Sequence, residues 1–234
     1  MYCEAFYLPH AEVVRTLRGT MPLLIKKDER YYPGRDGALY KSVTTVLKCI
    51  SPFQNVRQSF LEEARDDGLE GHRLVAQLAQ GIAIPKEEWY EYNQPIRNAV
   101  TAYERFRTKV HLHPEQVELE IINEVDEYGC TIDYIGTIPT GRVIIDWKTG
   151  AIHHIAIFQL AAYYKAYILA YPKHKVIGGY AVQLDKKDGR PHPFFVPAIE
   201  LDRYFTGFLA MKTMSDQMDE AELFIKGGDQ WKQD

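Results

Sequence analysis

Apolar residues recur at helical spacing over four long stretches of the chain, which predicts helices over about 53–80, 96–110, 154–170 and 198–224. Gly68 and Gly71 weaken the middle of the first of these helices. A shorter helix is expected from Ser42 or Thr44, either of which can serve as its N-cap, through Leu47 towards residue 50.

Strand-like runs lie between these helices, at 117–122, 131–138, 142–148, 176–184 and 193–196, and a turn at residues 33–37 predicts a further hairpin between 31–32 and 38–40. The order is α, then a β-meander, then α-β. We therefore predict an α/β fold, a single-domain sandwich whose central mixed sheet is flanked by helices.

Composition narrows the class of protein. The 234 residues are 46% hydrophobic, enough for one sizeable core, and the formal net charge is −4, which argues against a generally basic nucleic-acid binder. The chain has three scattered cysteines, which favour neither a disulfide framework nor a zinc site. It shows no apolar run long enough to span a bilayer and no signal-peptide pattern.

The most informative stretch is the apolar run that ends in Asp146-Trp147-Lys148. A four-residue turn, 138–141, separates it from the preceding strand, so that paired positions sum to 279 and Asp133 lies opposite Asp146. Carboxylates whose Cβ atoms are roughly 5 Å apart repel each other unless a cation lies between them. A hard divalent cation such as magnesium is the natural occupant, with Lys148 placed to hold a phosphate or a water. This arrangement suits phosphodiester hydrolysis.

The Asp-x-Lys pair and a nearby candidate ligand, His72, each have a structural alternative to a role in catalysis. An Asp-x-Lys at a strand end is also typical of a surface ion pair. His72, three residues before Val75 and eight after Ala64, shares their inward face and is either a metal ligand or a half-buried core histidine. The other histidines singled out, at 111, 113, 153 and 154, fit no ligand spacing and are expected to be solvated.

Six motifs in order resemble the PD-(D/E)XK nuclease superfamily, in the branch of RecB-type domains, mitochondrial genome-maintenance exonucleases and phage exonucleases. They are Ser42-Val43-Thr44-Thr45-Val46-Leu47, Gly68-Leu69-Glu70-Gly71-His72, Glu118, Thr131-Ile132-Asp133, Asp146-Trp147-Lys148 and Gln159-Leu160-Ala161-Ala162-Tyr163. The resemblance runs from about Tyr31 to Tyr171, and it implies a restriction-endonuclease-like fold. Cys130 stands where the family usually has a glycine, and we expect a packing change there without loss of function.

The resemblance implies a set of roles. Asp133, Asp146, Lys148 and Glu118 would be catalytic; His72, Asp133, Asp146 and the backbone carbonyl of Trp147 would bind Mg²⁺ or Mn²⁺; and Ser42, Thr44, Thr45, Gln159 and Tyr163 would contact the substrate. From the residues alone, Gln159 and Tyr163 also fit an ordinary amphipathic helix with Gln159 solvated, and the three hydroxyls are first of all caps. Of the two glutamates on this strand, Glu118 and Glu120, the resemblance favours Glu118, because its spacing from Asp133 matches the family's.

We therefore expect a divalent-metal-dependent DNA exonuclease of recombination, repair or replication, with DNA ends as the favoured substrate and a recombination or replication protein as a possible partner. The alternatives are a structure-specific endonuclease of the same superfamily and a non-catalytic DNA-end binder. The expected domain is 31–225, between an N-terminal extension (1–30) and a polar tail (226–234). The expected location is the cytoplasm of a bacterial or phage-infected cell, with the mitochondrial matrix as the alternative.

Overall fold

The computed structural model describes residues 29–35, 37–50 and 68–225, together with the backbone of residues 12–15, 22–25, 58–67 and 226–228. In chain order the elements are β1 (Glu12–Arg15), β2 (Pro22–Ile25), β3 (Tyr31–Pro33), β4 (Leu39–Lys41), α1 (Val43–Leu47) with a 3₁₀ turn (Lys48–Ile50), α2 (Gln58–Ala79), α3 (Lys86–Glu91), α4 (Gln94–Val110), β5 (His113–Asn123), β6 (Tyr128–Ile138), β7 (Gly141–Lys148), α5 (Ile155–Ala170), β8 (Val176–Leu184), β9 (Pro191–Pro197) and α6 (Ala198–Gly228).

The central sheet has five strands in the order β5-β6-β7-β8-β9. Strands β5 to β7 form an antiparallel meander, β7 and β8 are parallel, and β9 returns antiparallel to β8. The parallel pair is joined by the crossover helix α5, the connection that parallel neighbours require. The predicted fold class, a mixed sheet flanked by helices, is confirmed.

Alternation along β7 sends successive side chains to opposite faces of the sheet. Ile144 belongs to the cluster that includes Leu160 of α5 and Phe208 of α6, whereas Val143, Ile145 and Trp147 belong to the cluster that includes Tyr103 and Phe106 of α4. Position 146 therefore faces α5, and position 148 faces the same way.

The predicted hairpin register is confirmed, since Tyr134 pairs with Ile145 and Ile135 with Ile144. Other boundaries differ. The short helix α3 was not predicted, and α2 passes through Gly68 and Gly71 without a break. Residues 53–57 and the side chains of Leu61 and Ala64 lie outside the described residues.

The predicted domain boundaries at residues 30 and 225 stay predictions. Helix α6 continues through the second of them to Gly228, and residues 229–234 of the predicted polar tail lie outside the described residues. Within the part of the chain that is described, no helix combines the length and the apolar character needed to cross a bilayer.

Candidate active site

The candidate site is built on two neighbouring carboxylates, one in the middle of β6 and one near the end of β7. Asp133 accepts a hydrogen bond from the backbone N–H of Trp147, with Oδ2 at 2.9 Å from the nitrogen. Asp146 is only 1% exposed, and the Nζ of Lys148 lies 3.0 Å from its Oδ1 and 2.8 Å from its Oδ2. The hairpin thus brings Asp133, Asp146 and Lys148 together, as its register predicts.

Both carboxyl groups resist ionisation. Burial raises the pKa of Asp133 from 3.8 to about 6, against the lowering effects of Lys148 and of the Trp147 N–H. Burial likewise raises the pKa of Asp146 to about 6, although Lys148 lowers it, and the charge on Asp133 raises it further. Two acids held in this way favour a proton or a cation between them.

His72 reaches this pair from α2, with its Nδ1 at 3.7 Å from Asp133 Oδ2. Its side chain is 29% exposed, yet burial is the largest effect on its pKa, which falls to about 4 with a further lowering by Lys148. The imidazole is therefore neutral at pH 7, the form that binds a metal.

Lys148 links the carboxylates to α5. Its Nζ donates to Gln159 Oε1 at 2.8 Å, and Gln159 Nε2 donates to the Tyr163 hydroxyl at 2.7 Å. Both α5 residues are buried, so the alternative in which Gln159 is solvated is wrong. Their spacing of one helical turn places both on the face that meets the sheet.

Glu118 lies opposite Asp133 on β5, between the pairs Val117–Tyr134 and Leu119–Ile132. Its backbone has φ of +52°, a left-handed conformation that is strained for a glutamate. Solvent reaches its side chain, but burial within the groove and the charge on Asp133 raise its pKa to about 7. Glu118 also lines a groove of about 540 Å³ together with His72.

The three hydroxyl residues of the N-terminal motif separate into two kinds. Ser42 is the N-cap of α1 and accepts from the Thr45 N–H at 3.0 Å, and both residues are buried. Thr44 is exposed. A small cavity of about 40 Å³ is lined by Ser42, Thr44 and Tyr163, so this motif lies beside the candidate site.

Arg30 is the residue that sequence analysis missed. It lines the same cavity, pairs with Glu120 at 2.8 Å, and has a buried Nε without a hydrogen-bond partner among the described residues. It also lines the larger groove of about 1170 Å³ that runs along β5 past Glu118. No signal in the sequence could have found it, because a single arginine outside a motif has no local pattern and its side-chain partner, Glu120, lies 90 residues away.

A second group with metal-ligand spacing lies in the loop between β8 and β9. Among the described residues, Asp185, Asp188 and His192 bring one ligand atom each within 4.8 Å of one another. The ligand atoms of His72, Asp133 and Asp146 do not all lie this close to one another. Sequence analysis did not single out the loop group, whose carboxylates also accept from backbone N–H groups of the same turn. The histidines at 111, 113, 153 and 154 are exposed, as predicted.

No protein-family model matches this chain, and no curated protein matches it. Among solved structures, it is similar to LHK-Exo in complex with dAMP, at 13% sequence identity and a TM-score of 0.34, over 80% of this chain and 94% of that one. A likeness this distant carries no functional conclusion, which must come from the residues of the site.

Proposed function

We propose that this protein is a divalent-metal-dependent DNA exonuclease that uses Mg²⁺ or Mn²⁺. The observation that carries the proposal is a cluster of two carboxylates, the buried Asp146 and the half-buried Asp133, with Lys148 in contact with the first and a neutral His72 beside the second. Carboxylate oxygens and a neutral imidazole are donors that suit these cations.

The residues present fit such a cation. Both carboxyl groups have raised pKa values, and the Oδ2 of buried Asp146 makes no well-directed hydrogen bond although Lys148 is close. His72, Asp133, Asp146 and the carbonyl of Trp147 would hold the metal. When bound, it would polarise the scissile phosphate and lower the pKa of a water.

The protein groups around it have separate tasks. Lys148 would orient the attacking water and stabilise the charge that develops on the phosphate, and Gln159 and Tyr163 hold its ammonium in place through their hydrogen-bond chain. Glu118, with a pKa of about 7, is suited to exchange a proton with the water or the leaving group at neutral pH.

Substrate contacts would come from the neighbouring wall. Thr44 is exposed, with its hydroxyl hydrogen-bonded to that of Ser42, and Arg30 offers a guanidinium with an unsatisfied Nε. Ser42 and Thr45 would act through the cap that orients Thr44. These groups recognise phosphate and not bases, so we expect little sequence preference. Recombination, repair or replication in the cytoplasm is the setting we propose.

The test is digestion of an end-labelled linear duplex beside a covalently closed circle of the same sequence, with Mg²⁺, with Mn²⁺ and with EDTA. We expect metal-dependent loss of the linear DNA while the circle survives, and a loss of at least about a hundredfold in rate for Asp133→Asn. Asp202→Asn, which removes an exposed carboxylate of α6, is the matched control.

Other outcomes would contradict the proposal. Nicking of the circle at a comparable rate would indicate an endonuclease. Binding of linear DNA without cleavage under either metal would indicate a non-catalytic end binder. Undiminished metal-dependent cleavage by Asp133→Asn would show that the chemistry lies elsewhere.

A further inference from the structure

Helix α2 approaches the end of β7 at two glycines. A Cβ placed on Gly68 would lie 2.8 Å from the Oγ1 of Thr149, which is closer than side chains tolerate, and one placed on Gly71 would lie 3.4 Å from the Cγ2 of the same threonine. Thr149 follows Lys148 directly and, by alternation, faces the α2 side of the sheet. The threonine therefore sits in a notch that the glycines leave open.

This notch has an energetic cost. Glycine inside a helix is less favourable than alanine, so each of the two glycines destabilises α2. The conformation does not require glycine at either position, because neither has a positive φ. Glycine at position 68 instead allows a close approach, because any larger residue there would keep α2 farther from Thr149.

The close approach of α2 to Thr149 also determines where His72 lies. It follows Gly68 by four residues, one helical turn along the same face, so the two move together as parts of one helix. Relieving a 2.8 Å contact to 3.4 Å would require a shift of about 0.6 Å. His72 Nδ1 lies only 3.7 Å from Asp133, so such a shift is large on the scale of a metal–ligand bond.

We infer that the contact between Gly68 and Thr149 sets the distance of α2 from the sheet, and that Thr149 is a positioning residue for His72. The inference rests on the proposed function, because it takes His72 as a ligand.

The geometry supplies a compensating pair of substitutions. In Gly68→Ala combined with Thr149→Ala, the atoms that collide are gone, and the remaining distance from the new Cβ to the Cβ of residue 149 is 3.9 Å, an ordinary contact. Gly71→Ala is the matched control on the same helix, because its nearest neighbours, at 3.4 and 3.6 Å, tolerate the added methyl group.

The experiment measures Mn²⁺ affinity by calorimetry, thermal stability in EDTA, and cleavage of linear DNA for the full chain. Gly68→Ala should weaken Mn²⁺ binding by about tenfold or more, Gly71→Ala should match the wild type, and the double variant Gly68→Ala/Thr149→Ala should recover most of the loss. In a His72→Ala background, Gly68→Ala should cause no further loss, which a merely structural role would not produce.

Unchanged Mn²⁺ affinity in Gly68→Ala would overturn the inference, and so would a double variant that binds no better than Gly68→Ala. Loss of cleavage in Thr149→Ala with no change in Mn²⁺ affinity would also overturn it, because the hydroxyl would then act on the substrate. These results leave the proposed function standing as long as the wild type binds Mn²⁺ and cleaves DNA. A wild type that does neither would overturn both.

Discussion

The charge on Asp146 should destabilise the metal-free protein, so that Asp146→Asn stabilises it. The neutral amide has nearly the shape of the protonated acid but cannot ionise. The pKa of Asp146 rises from 3.8 to about 6 because the group is buried, and this value already includes the favourable effect of Lys148. A rise of about two units corresponds to up to about 3 kcal/mol of lost stability when the group is ionised at pH 7.

The sign follows from linkage. A group whose folded-state pKa is raised contributes stability that is fully present below its unfolded pKa, here 3.8, and is lost as the pH rises through about 6. The advantage of Asp146→Asn over the wild type should therefore be greatest at pH 7 and above, and should vanish near pH 4. The assay is urea unfolding in EDTA at pH 4, 5, 6 and 7, with Asp202→Asn as the control.

The same variant separates stability from metal binding. Mn²⁺ should raise the unfolding midpoint of the wild type and leave that of Asp146→Asn almost unchanged, because a ligand of the folded state stabilises it by mass action. The reasoning is refuted if Asp146→Asn is less stable than the wild type in EDTA at pH 7. In that case the carboxylate would be satisfied by its ion pair with Lys148 and would not be held ready for a cation.

Three further predictions concern the remaining residues of the site. His72→Ala should raise the Mn²⁺ concentration for half-maximal cleavage by about tenfold or more, with a modest loss of stability. A large fall in the melting temperature with an unchanged metal titration would show that the histidine is structural. Mn²⁺ affinity measured by calorimetry should fall as the pH drops from 7 to 6, because Asp133 and Asp146 must be ionised to bind the cation. His72, with a pKa of about 4, stays neutral over this range. A constant affinity down to pH 5 would contradict the raised carboxyl pKa values. Arg30→Met should weaken DNA binding and reduce its salt dependence, whereas Arg203→Met, at a side chain of α6 that is 67% exposed, should not; equal effects in a salt-titrated binding assay would remove Arg30 from the substrate path.

The hairpin of β6 and β7 could be predicted from the sequence because its information is local. The turn at 138–141 fixes the register, and the alternation of strand side chains then brings Asp133 and Asp146 to one face. The chain from Lys148 through Gln159 to Tyr163 could be anticipated only in part. Helical spacing puts the last two on one face, but only the crossover of α5 between parallel strands turns that face towards Lys148.

Other features depend on contacts between residues far apart in the chain. Arg30 reaches Glu120 across 90 positions, and Thr149 enters a notch in α2 about 80 positions earlier, so neither has a local signature. The left-handed backbone at Glu118 is equally hidden, because glutamate gives no propensity signal for it. The glycines of α2 could be identified from the sequence as weak points of a helix. Why glycine stands there depends on Thr149, which packs against them.

The central claim is that His72, Asp133 and Asp146 form the metal-binding site, and Mn²⁺ titration of four proteins tests it most directly. Calorimetry should show binding for the wild type and for Asp188→Asn, and a loss of about tenfold or more in affinity for Asp133→Asn and Asp146→Asn. The group formed by Asp185, Asp188 and His192 is the rival. Unchanged affinity in Asp133→Asn and Asp146→Asn, with binding lost in Asp188→Asn, would place the metal in the β8–β9 loop and contradict the account.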